Sequence, residues 1–252
     1  MDARRDDVVV QVPRFYVDAP LRAGAGCTLP EDSAHHAIHV MRLREGDDAV
    51  LFNGRGGEYM ARVASIQRLR ISLDVLQHLP VERESPLHMT LVQGVSSSDR
   101  MDYTVRKAVE LGVGSIYPVL TTRSVARPKG ERADNRRVHW QKVAISACEQ
   151  CGRNTIPEVH PLTSVADYLQ GADKDSFKVL LSPRSELALS KAVEGKSRFV
   201  LAAGPEAGFD TDEEAAFARA GFTPLKLGPR VLRTETAALA ALAALSALRG
   251  DF

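Results

Sequence analysis

"RFVLAAGPEAGF" (residues 198–209) and "FTPLKLGPRVLRTET" (residues 222–236) each carry an apolar run that ends in the dipeptide Gly-Pro. An apolar run of this length, closed by turn residues, is typical of a buried strand. Glycine lets the backbone adopt turns that other residues rarely reach, and proline stiffens the turn that follows. The pattern predicts two buried strands, each leading into a tight loop.

Strand-like and helix-like patterns alternate around these two stretches. "HMTLVQGV", "SIYPVL" and "FKVLLSPR" are apolar runs of strand length, and helical patterns such as "SDRMDYTVRKAVELGV" and "NRRVHWQKVAISACEQC" lie between them. This alternation indicates an α/β domain with a parallel sheet that is covered on both faces. Because ligands of such sheets bind at the carboxyl ends of the strands, we expect a site where "SPR" and the two Gly-Pro loops follow their strands.

The N-terminal third has a different pattern. Four β-rich runs, a hairpin-type turn "NGRGGE" (residues 53–58) and one helical segment that Asp32 or Ser33 could cap predict a small β-barrel. The polar segment "PVERESP" (residues 80–86), with a proline at each end, reads as a linker. We therefore predict a β domain over residues 1–82 and the α/β domain over residues 86–252.

Charge is uneven along the chain of 252 residues, although the net charge is only +1. Residues 122–153 contain eight Lys and Arg against three acids, a local net charge of +5. This basic stretch is a candidate surface for an anionic partner such as nucleic acid. A solvated loop and helix face is the alternative interpretation.

Several classes of protein are disfavoured by composition. The N-terminal "MDARRDDVVVQ" is too charged for a signal peptide, and the apolar stretch "AALAALAALSAL" is shorter than the roughly 20 residues of a membrane span. Cys148 and Cys151 lack the second pair that a zinc site needs, and three nearby histidines lack a Cys or Asp at ligand spacing. The three histidines are His35, His36 and His39. We therefore expect a cytoplasmic protein without a metal site.

The last predicted helix is apolar around most of its circumference. Between Thr236 and Leu248 leucines recur at every third position, with alanines at most of the others. A helix of this kind is buried on nearly every side, either within its domain or against a second subunit. We favour the second interpretation, a homodimer.

The charges near the Gly-Pro loops argue against a phosphate ligand. Neither loop has the glycine spacing of a dinucleotide-binding turn or the Lys-Ser/Thr of a P-loop. Asp210 and Glu213 predict a capping box at the start of the next helix, and further acids surround it. The loops suit an adenosine-like ligand that carries no phosphate; ordinary strand-to-helix turns are the alternative.

"GPEAGF", "LGPRVLRTETA", "ACEQCGRNTIPEV" and "KAVELGV" together resemble the bacterial 16S ribosomal RNA uracil-N3 methyltransferases, a family of the SPOUT superfamily. The resemblance extends over nearly the whole chain, with Ala207 in place of the usual second glycine of "GPEGG". It implies a SPOUT-type α/β methyltransferase domain with a trefoil knot, and an N-terminal PUA-like β-barrel that binds RNA. It also implies a homodimer that uses S-adenosylmethionine to methylate N3 of a uridine in 16S rRNA of the small ribosomal subunit.

The resemblance further implies that the loops 181–184, 201–208 and 227–236 bind S-adenosylmethionine. The implied cofactor-binding residues are Leu181, Ser182, Pro183, Leu201, Gly204, Pro205, Glu206, Gly208, Leu227, Gly228, Pro229, Arg230, Leu232, Thr234 and Thr236.

For the chemistry, an arginine would stabilise the uracil anion and a carboxylate would accept the N3 proton. The candidates are Arg233, with Arg230, for charge stabilisation, and Glu206 or Glu235 for proton acceptance. Glu235 could instead be a helix-start residue, Glu206 could orient its loop or complement the sulfonium, and solvent could take the proton.

Arginines are the predicted RNA contacts because the guanidinium matches a phosphate with two donors. The predicted residues are Arg14, Arg42, Arg44, Arg123, Arg136, Arg137 and Arg153. Each of these arginines could equally be an ion-pair partner on the surface. A related methyltransferase with another RNA target, or a non-catalytic RNA-binding factor of ribosome assembly, are the alternative functions.

Overall fold

The computed structural model describes residues 12–124 and 127–252. Residues 1–11, whose charge argues against a signal peptide, lie outside the described residues. The chain divides into two compact units. The first comprises the chain up to Arg83 together with Gly152–Thr155, and the second comprises Glu84–Cys151 and Ile156–Phe252.

The first unit is a five-stranded sheet with one helix. Its elements are β1 (Arg14–Tyr16), β2 (Gly26–Thr28), α1 (Glu31–His39), β3 (Asp48–Phe52), β4 (Glu58–Gln67) and β5 (Arg70–Leu79). The strand order is β1-β3-β4-β5-β2, in which β1 is parallel to β3 and the other pairs are antiparallel. The predicted hairpin turn "NGRGGE" joins β3 to β4, as expected.

The core of this unit follows the alternation of its strands. Ile71, Leu73 and Val75 are buried at every second position of β5, and α1 buries Ala34 and Ala37. The predicted N-cap was wrong. Helix α1 begins after Pro30, which occupies the N-cap position without a side-chain hydrogen bond, because the fixed φ of proline suits a helix start.

The second unit is an α/β fold with a parallel sheet. Its strands are β6 (His88–Gly94), β7 (Ser115–Leu120), β8 (Glu158–Val159), β9 (Thr163–Ser164), β10 (Phe177–Leu181), β11 (Arg198–Ala203) and β12 (Thr223–Leu225). Its helices are α2 (Ser98–Glu110), α3 (Glu131–Cys151), α4 (Val165–Gln170), α5 (Leu189–Ala192), α6 (Thr211–Arg219) and α7 (Thr234–Arg249).

The sheet order is β12-β10-β11-β6-β7-β8, with β9 also paired to β7, and every pair is parallel. The central strand β11 is buried at five successive positions, as expected of a strand covered on both faces. This confirms the predicted parallel α/β domain. Since β10, β11 and β12 run in the same direction, the loops that follow them leave the sheet at one edge.

Helix α7 buries one face within the chain, and burial of its other faces against a second subunit stays a prediction. The buried positions follow the helical repeat: Thr234, Ala238, Ala241, Leu242, Leu245 and Ser246. Leu239 is half-buried and Leu248 is 47% exposed. The remaining apolar surface is therefore not covered by the described residues of the chain itself.

Cys148 and Cys151 lie in the last turn of α3, which confirms that they are helix residues. Across residues 12–124 and 127–252, no helix is long and apolar enough to cross a membrane. The same residues contain no group of three or more His, Cys, Asp or Glu side chains that could hold a metal ion.

Candidate active site

A small cleft opens where β10 and β12 end. Seven of the predicted cofactor-binding residues line it: Leu181, Ser182, Pro183, Leu227, Gly228, Arg230 and Leu232. Val231, within the predicted loop 227–236, also lines the cleft, and so do Leu225 and Ala237, which lie outside the predicted loops. The cleft is thus mainly aliphatic, with glycine and proline in its walls and one arginine among its residues.

The other predicted residues lie beside this lining or shape the backbone near it. Leu201 is buried inside β11, and Pro229 and Thr236 are exposed. The remaining members belong to the loop of residues 204–209, hereafter the GPEAGF loop, or to the start of α7: Gly204, Pro205, Glu206, Gly208 and Thr234.

The GPEAGF loop is a tight turn that admits no side chain at its first residue. A Cβ atom on Gly204 would lie 2.9 Å from both the Cα of Gly208 and the backbone nitrogen of Phe209. The amide of Gly208 donates to the carbonyl of Pro205 at 2.8 Å, and Gly208 has a φ of +71°. Gly94, at the end of β6, is equally constrained because its Cβ would lie 2.5 Å from the Cδ of Pro205.

Gln93 and Thr234 tie the GPEAGF loop to the start of α7. The hydroxyl of Thr234 donates to the carbonyl of Gly204 at 2.5 Å, and the Nε2 of Gln93 donates to that hydroxyl at 3.0 Å. Gln93 is only 1% exposed. Sequence reasoning missed Gln93, although an amide inside the buried strand "HMTLVQGV" is a signal, since buried polar side chains need partners.

Glu206 is held by hydrogen bonds from the start of α2. Its Oε1 accepts from the amide of Ser97 and from Nη1 of Arg100, both at 3.0 Å. Burial by itself would raise the pKa of Glu206, but the hydrogen bond from Ser97 and the charge of Arg100 outweigh it and lower the pKa. A carboxylate with a lowered pKa is a weak base, which favours the loop-orienting interpretation of Glu206 over proton acceptance.

Arg100 also lies near Glu235 in the first turn of α7, with 4.0 Å between its Nε and the Oε1 of Glu235. The Oε2 of Glu235 is buried without a hydrogen-bond partner among the described residues. Sequence reasoning did not single out Arg100. The available signal was a cation in the first turn of a helix, where the helix dipole disfavours it unless an acid lies nearby.

Arg233 and Arg230 are both exposed beside the cleft. Arg233 is the N-cap residue of α7, and its carbonyl accepts from the amide of Ala237 at 2.8 Å. Arg230 lines the cleft itself. Both guanidinium groups are therefore available to a ligand that approaches from solvent.

The loop after β7 also contacts the GPEAGF loop. Nη1 of Arg123 donates to the carbonyls of Ala207, at 2.9 Å, and Phe209, at 3.4 Å. The hydroxyl of the neighbouring Thr122 donates to Asp210 at 2.6 Å. Asp210 and Glu213 form the predicted capping box, which confirms that the positive end of α6 is occupied by its own acids.

Burial corrects the RNA-contact prediction for Arg14 and Arg153. Arg14 is 8% exposed, and its guanidinium pairs with Glu58 at 2.5 Å and donates to Oδ1 of Asn154 at 2.8 Å. Arg153 is buried as well. Burying an unpaired guanidinium costs free energy, and Arg14 is buried together with the carboxylate of Glu58. We therefore assign Arg14 a structural role.

The other predicted RNA contacts stay at the surface. Arg42 and Arg44 are exposed in the first unit, and Arg136 and Arg137 lie half-buried on α3 in the second unit. These two pairs belong to different units.

Two family models match the chain: an RNA methyltransferase domain over residues 83–246 and an RNA methyltransferase PUA domain over residues 29–76. The ribosomal RNA small subunit methyltransferase E of Buchnera aphidicola subsp. Acyrthosiphon pisum (strain APS) is 32% identical over 96% of each chain. This chain belongs to the ribosomal RNA small subunit methyltransferase E family.

Solved structures agree with this family assignment. The ribosomal RNA small subunit methyltransferase E of Neisseria gonorrhoeae, bound to S-adenosyl methionine, is 39% identical, with a TM-score of 0.89 over 96% of this chain and 99% of that one. A protein of Legionella pneumophila in complex with the bound cofactor SAM is 34% identical, with a TM-score of 0.93 over 96% of this chain and 100% of that one. The family assignment confirms the predicted SPOUT-type domain and PUA-like domain, while the threading of a knot stays a prediction.

Proposed function

We propose that this protein transfers a methyl group from S-adenosylmethionine to N3 of a uridine in 16S rRNA of the small ribosomal subunit. The observation that carries the proposal is the cleft at the ends of β10 and β12, five of whose ten lining residues belong to the signature "LGPRVLRTET". A relative that is 32% identical over 96% of its length carries the family name, and two similar proteins have been solved with the cofactor.

S-adenosylmethionine fits the residues that line the cleft. Leu181, Leu227 and Leu232 offer apolar surface to an adenosine, and the open space beside Gly228 leaves its backbone accessible. The acids at the start of α6 would oppose a pyrophosphate but not a ligand with a positive sulfonium. When bound, this cofactor supplies an electrophilic methyl group.

The residues of the chain then have to present and activate the uridine. N3 is engaged in base pairs and carries a proton, so the target base has to be unpaired and splayed out before it can react. We propose that Arg233, which is exposed beside the cleft, stabilises negative charge that develops on the uracil. Glu235 is the carboxylate candidate for the proton, with solvent as the alternative, while Glu206 orients its loop.

We propose RNA contacts at the surface arginines of each unit, Arg42 and Arg44 in the first and Arg136 and Arg137 in the second. RNA affinity should then fall steeply with salt, as phosphate contacts do. Replacing Arg136 and Arg137 together by Glu should weaken RNA binding at least about tenfold through lost contacts and added repulsion, with cofactor affinity unchanged. Normal RNA binding by the double variant would show that this part of the basic stretch is only a solvated face.

We propose that the protein is a homodimer that works in the cytoplasm, where ribosomal subunits assemble. The support is the apolar surface of α7, including Leu248, that the described part of the chain leaves uncovered. Sedimentation at micromolar concentration should give the mass of two chains. A monomer would contradict the dimer and leave the surface of α7 without an assigned partner.

The decisive experiment maps modified nucleotides of 16S rRNA by mass spectrometry in cells that lack this protein. We expect one N3-methyluridine to disappear, to return in full with the wild-type gene and to return to a lower extent with Arg233→Ala. Loss of a different modification would favour a related methyltransferase with another target. An unchanged modification map together with a subunit assembly defect would favour the non-catalytic assembly factor.

A further inference from the structure

The GPEAGF loop is contacted by two arginine side chains that come from different elements of the second unit. Arg123 comes from the loop after β7, and Arg100 comes from the first turn of α2. Neither residue lines the cleft itself. Their contacts are of different kinds, one to backbone carbonyls and one to a carboxylate.

Arg123 engages the backbone of the loop. Its Nη1 donates to the carbonyls of Ala207 and Phe209, which lie on either side of Gly208. Gly208, with its positive φ and no Cβ, is the residue at which this backbone is least restrained. A single guanidinium that bonds the carbonyl before and the carbonyl after Gly208 therefore fixes the orientation of both peptide units.

Arg100 engages the one acidic side chain of the loop. It pairs with Glu206 at 3.0 Å and approaches Glu235 at 4.0 Å, so it lies between the loop and the first turn of α7. The amide of Ser97 donates to the same oxygen of Glu206. The loop is thus held through its side chain at Glu206 and through its backbone at Ala207 and Phe209.

We infer that Arg123 and Arg100 are positioning residues that hold the GPEAGF loop in the shape that binds S-adenosylmethionine. Arg123, which the basic stretch suggested as an RNA contact, then acts on the cofactor site through the loop backbone. The inference rests on the proposed function, because it concerns the same cofactor. Both hydrogen bonds of Arg123 leave one nitrogen, Nη1, which lies one bond farther from Cα than the Nζ of a lysine would.

The test measures S-adenosylmethionine affinity by calorimetry in the absence of RNA, using the full-length protein. Arg123→Ala and Arg100→Ala should each weaken cofactor binding about tenfold, the size expected for lost hydrogen bonds to a charged group. RNA affinity should stay within about twofold of wild type, since neither side chain is proposed to touch phosphate. Arg123→Lys should recover only part of the loss.

Two matched control variants show whether an effect comes from the position of the arginine beside the loop or from the loss of any positive charge. Arg132→Ala removes an exposed arginine from the same basic stretch, and Arg106→Ala removes one from the same helix as Arg100. Both should bind S-adenosylmethionine as the wild type does. In turnover assays the loop variants should raise KM for S-adenosylmethionine while kcat at saturation stays near wild type.

The inference is overturned if Arg123→Ala binds S-adenosylmethionine normally and loses RNA affinity, because Arg123 is then an RNA contact. It is also overturned if both affinities and Tm fall together, which would indicate general destabilisation. Wild-type protein that fails to bind S-adenosylmethionine would instead refute the proposed function. The two failures are distinguishable because the second one appears before any variant is made.

Discussion

The two Gly-Pro loops look alike in sequence and differ in structure. The GPEAGF loop buries Pro205 and is bonded to α2, to α7 and to the loop after β7. In the second loop Gly228, Pro229 and Arg230 are exposed, and Val231 is 82% exposed. The first loop is a framework that is fixed by contacts with neighbouring elements. The second loop is exposed and presents its residues to a ligand in the cleft.

The two glycines accordingly serve different needs. Gly204 is required because neighbouring backbone atoms occupy the place of a Cβ. At Gly228 no atom of the described residues lies within 4 Å of the place that a Cβ would take, and the requirement is its φ of +80° instead. A dipeptide therefore identifies a turn, but the contacts of that turn decide whether it supports a site or forms its surface.

The largest expected effect on S-adenosylmethionine binding among these variants is that of Gly204→Ala. The new methyl group would force the backbone of Gly208 and Phe209 apart, and overpacking of this kind weakens binding by on the order of a hundredfold or more. Calorimetry with S-adenosylmethionine measures the loss, and circular dichroism checks that the fold persists. Binding at wild-type affinity would show that the GPEAGF loop is no framework.

Arg233→Ala tests the role of the second, exposed Gly-Pro loop. Because Arg233 is proposed to stabilise charge that appears only in the transition state, we expect kcat to fall about thirtyfold while the Kd of S-adenosylmethionine stays unchanged. The size lies at the low end for such groups because Arg233 is exposed. A raised Kd with normal turnover at saturation would make Arg233 a cofactor-binding residue instead.

Gly228→Ala should have a smaller effect than Gly204→Ala. The methyl group meets open space, so only the strain of a positive φ remains, which costs about 1 kcal/mol and weakens binding about fivefold. The same titration measures both variants. Equal losses at the two glycines would remove the distinction between framework and surface.

The smallest expected effect concerns pH. The pKa of Glu206 is lowered in the folded protein, so its ion pair stabilises the fold above the unfolded pKa near 4.5, and the gain is lost as pH falls through the folded pKa. Glu206→Gln should therefore lower the free energy of unfolding at pH 7 by less than about 1 kcal/mol, since the pair is partly exposed, and thermal denaturation should show a slightly lower Tm. The difference from wild type should vanish in acid; a difference that grows there would refute the assignment.

Much of the fold could be predicted because periodicity and turn residues are local signals. The alternation of β6, α2, β7 and α3, the hairpin turn "NGRGGE" and the capping box of Asp210 and Glu213 all follow from neighbours in sequence. The start of α1 did not follow, because Pro30 competes with nearby polar residues for the N-cap position.

The site was predictable only in outline. Seven lining residues came from the loops that the family resemblance implied, but Gln93 and Arg100 act across long sequence separations. The burial of Arg14 was equally hidden, since its partner Glu58 lies on a different strand. A charge pattern in the sequence shows how many cationic residues a segment has, but it does not show which of them are buried in ion pairs in the folded protein.

The short segment Gly152–Thr155 carries a consequence for protein engineering. It follows α3 of the second unit yet belongs to the first, where Asn154 accepts from Arg14 and donates to the carbonyl of Val81. The N-terminal unit is therefore discontinuous in the gene. A chimera that exchanges only the first 83 codons would separate this tetrapeptide from the side chains it bonds, so a successful graft has to transplant both pieces together.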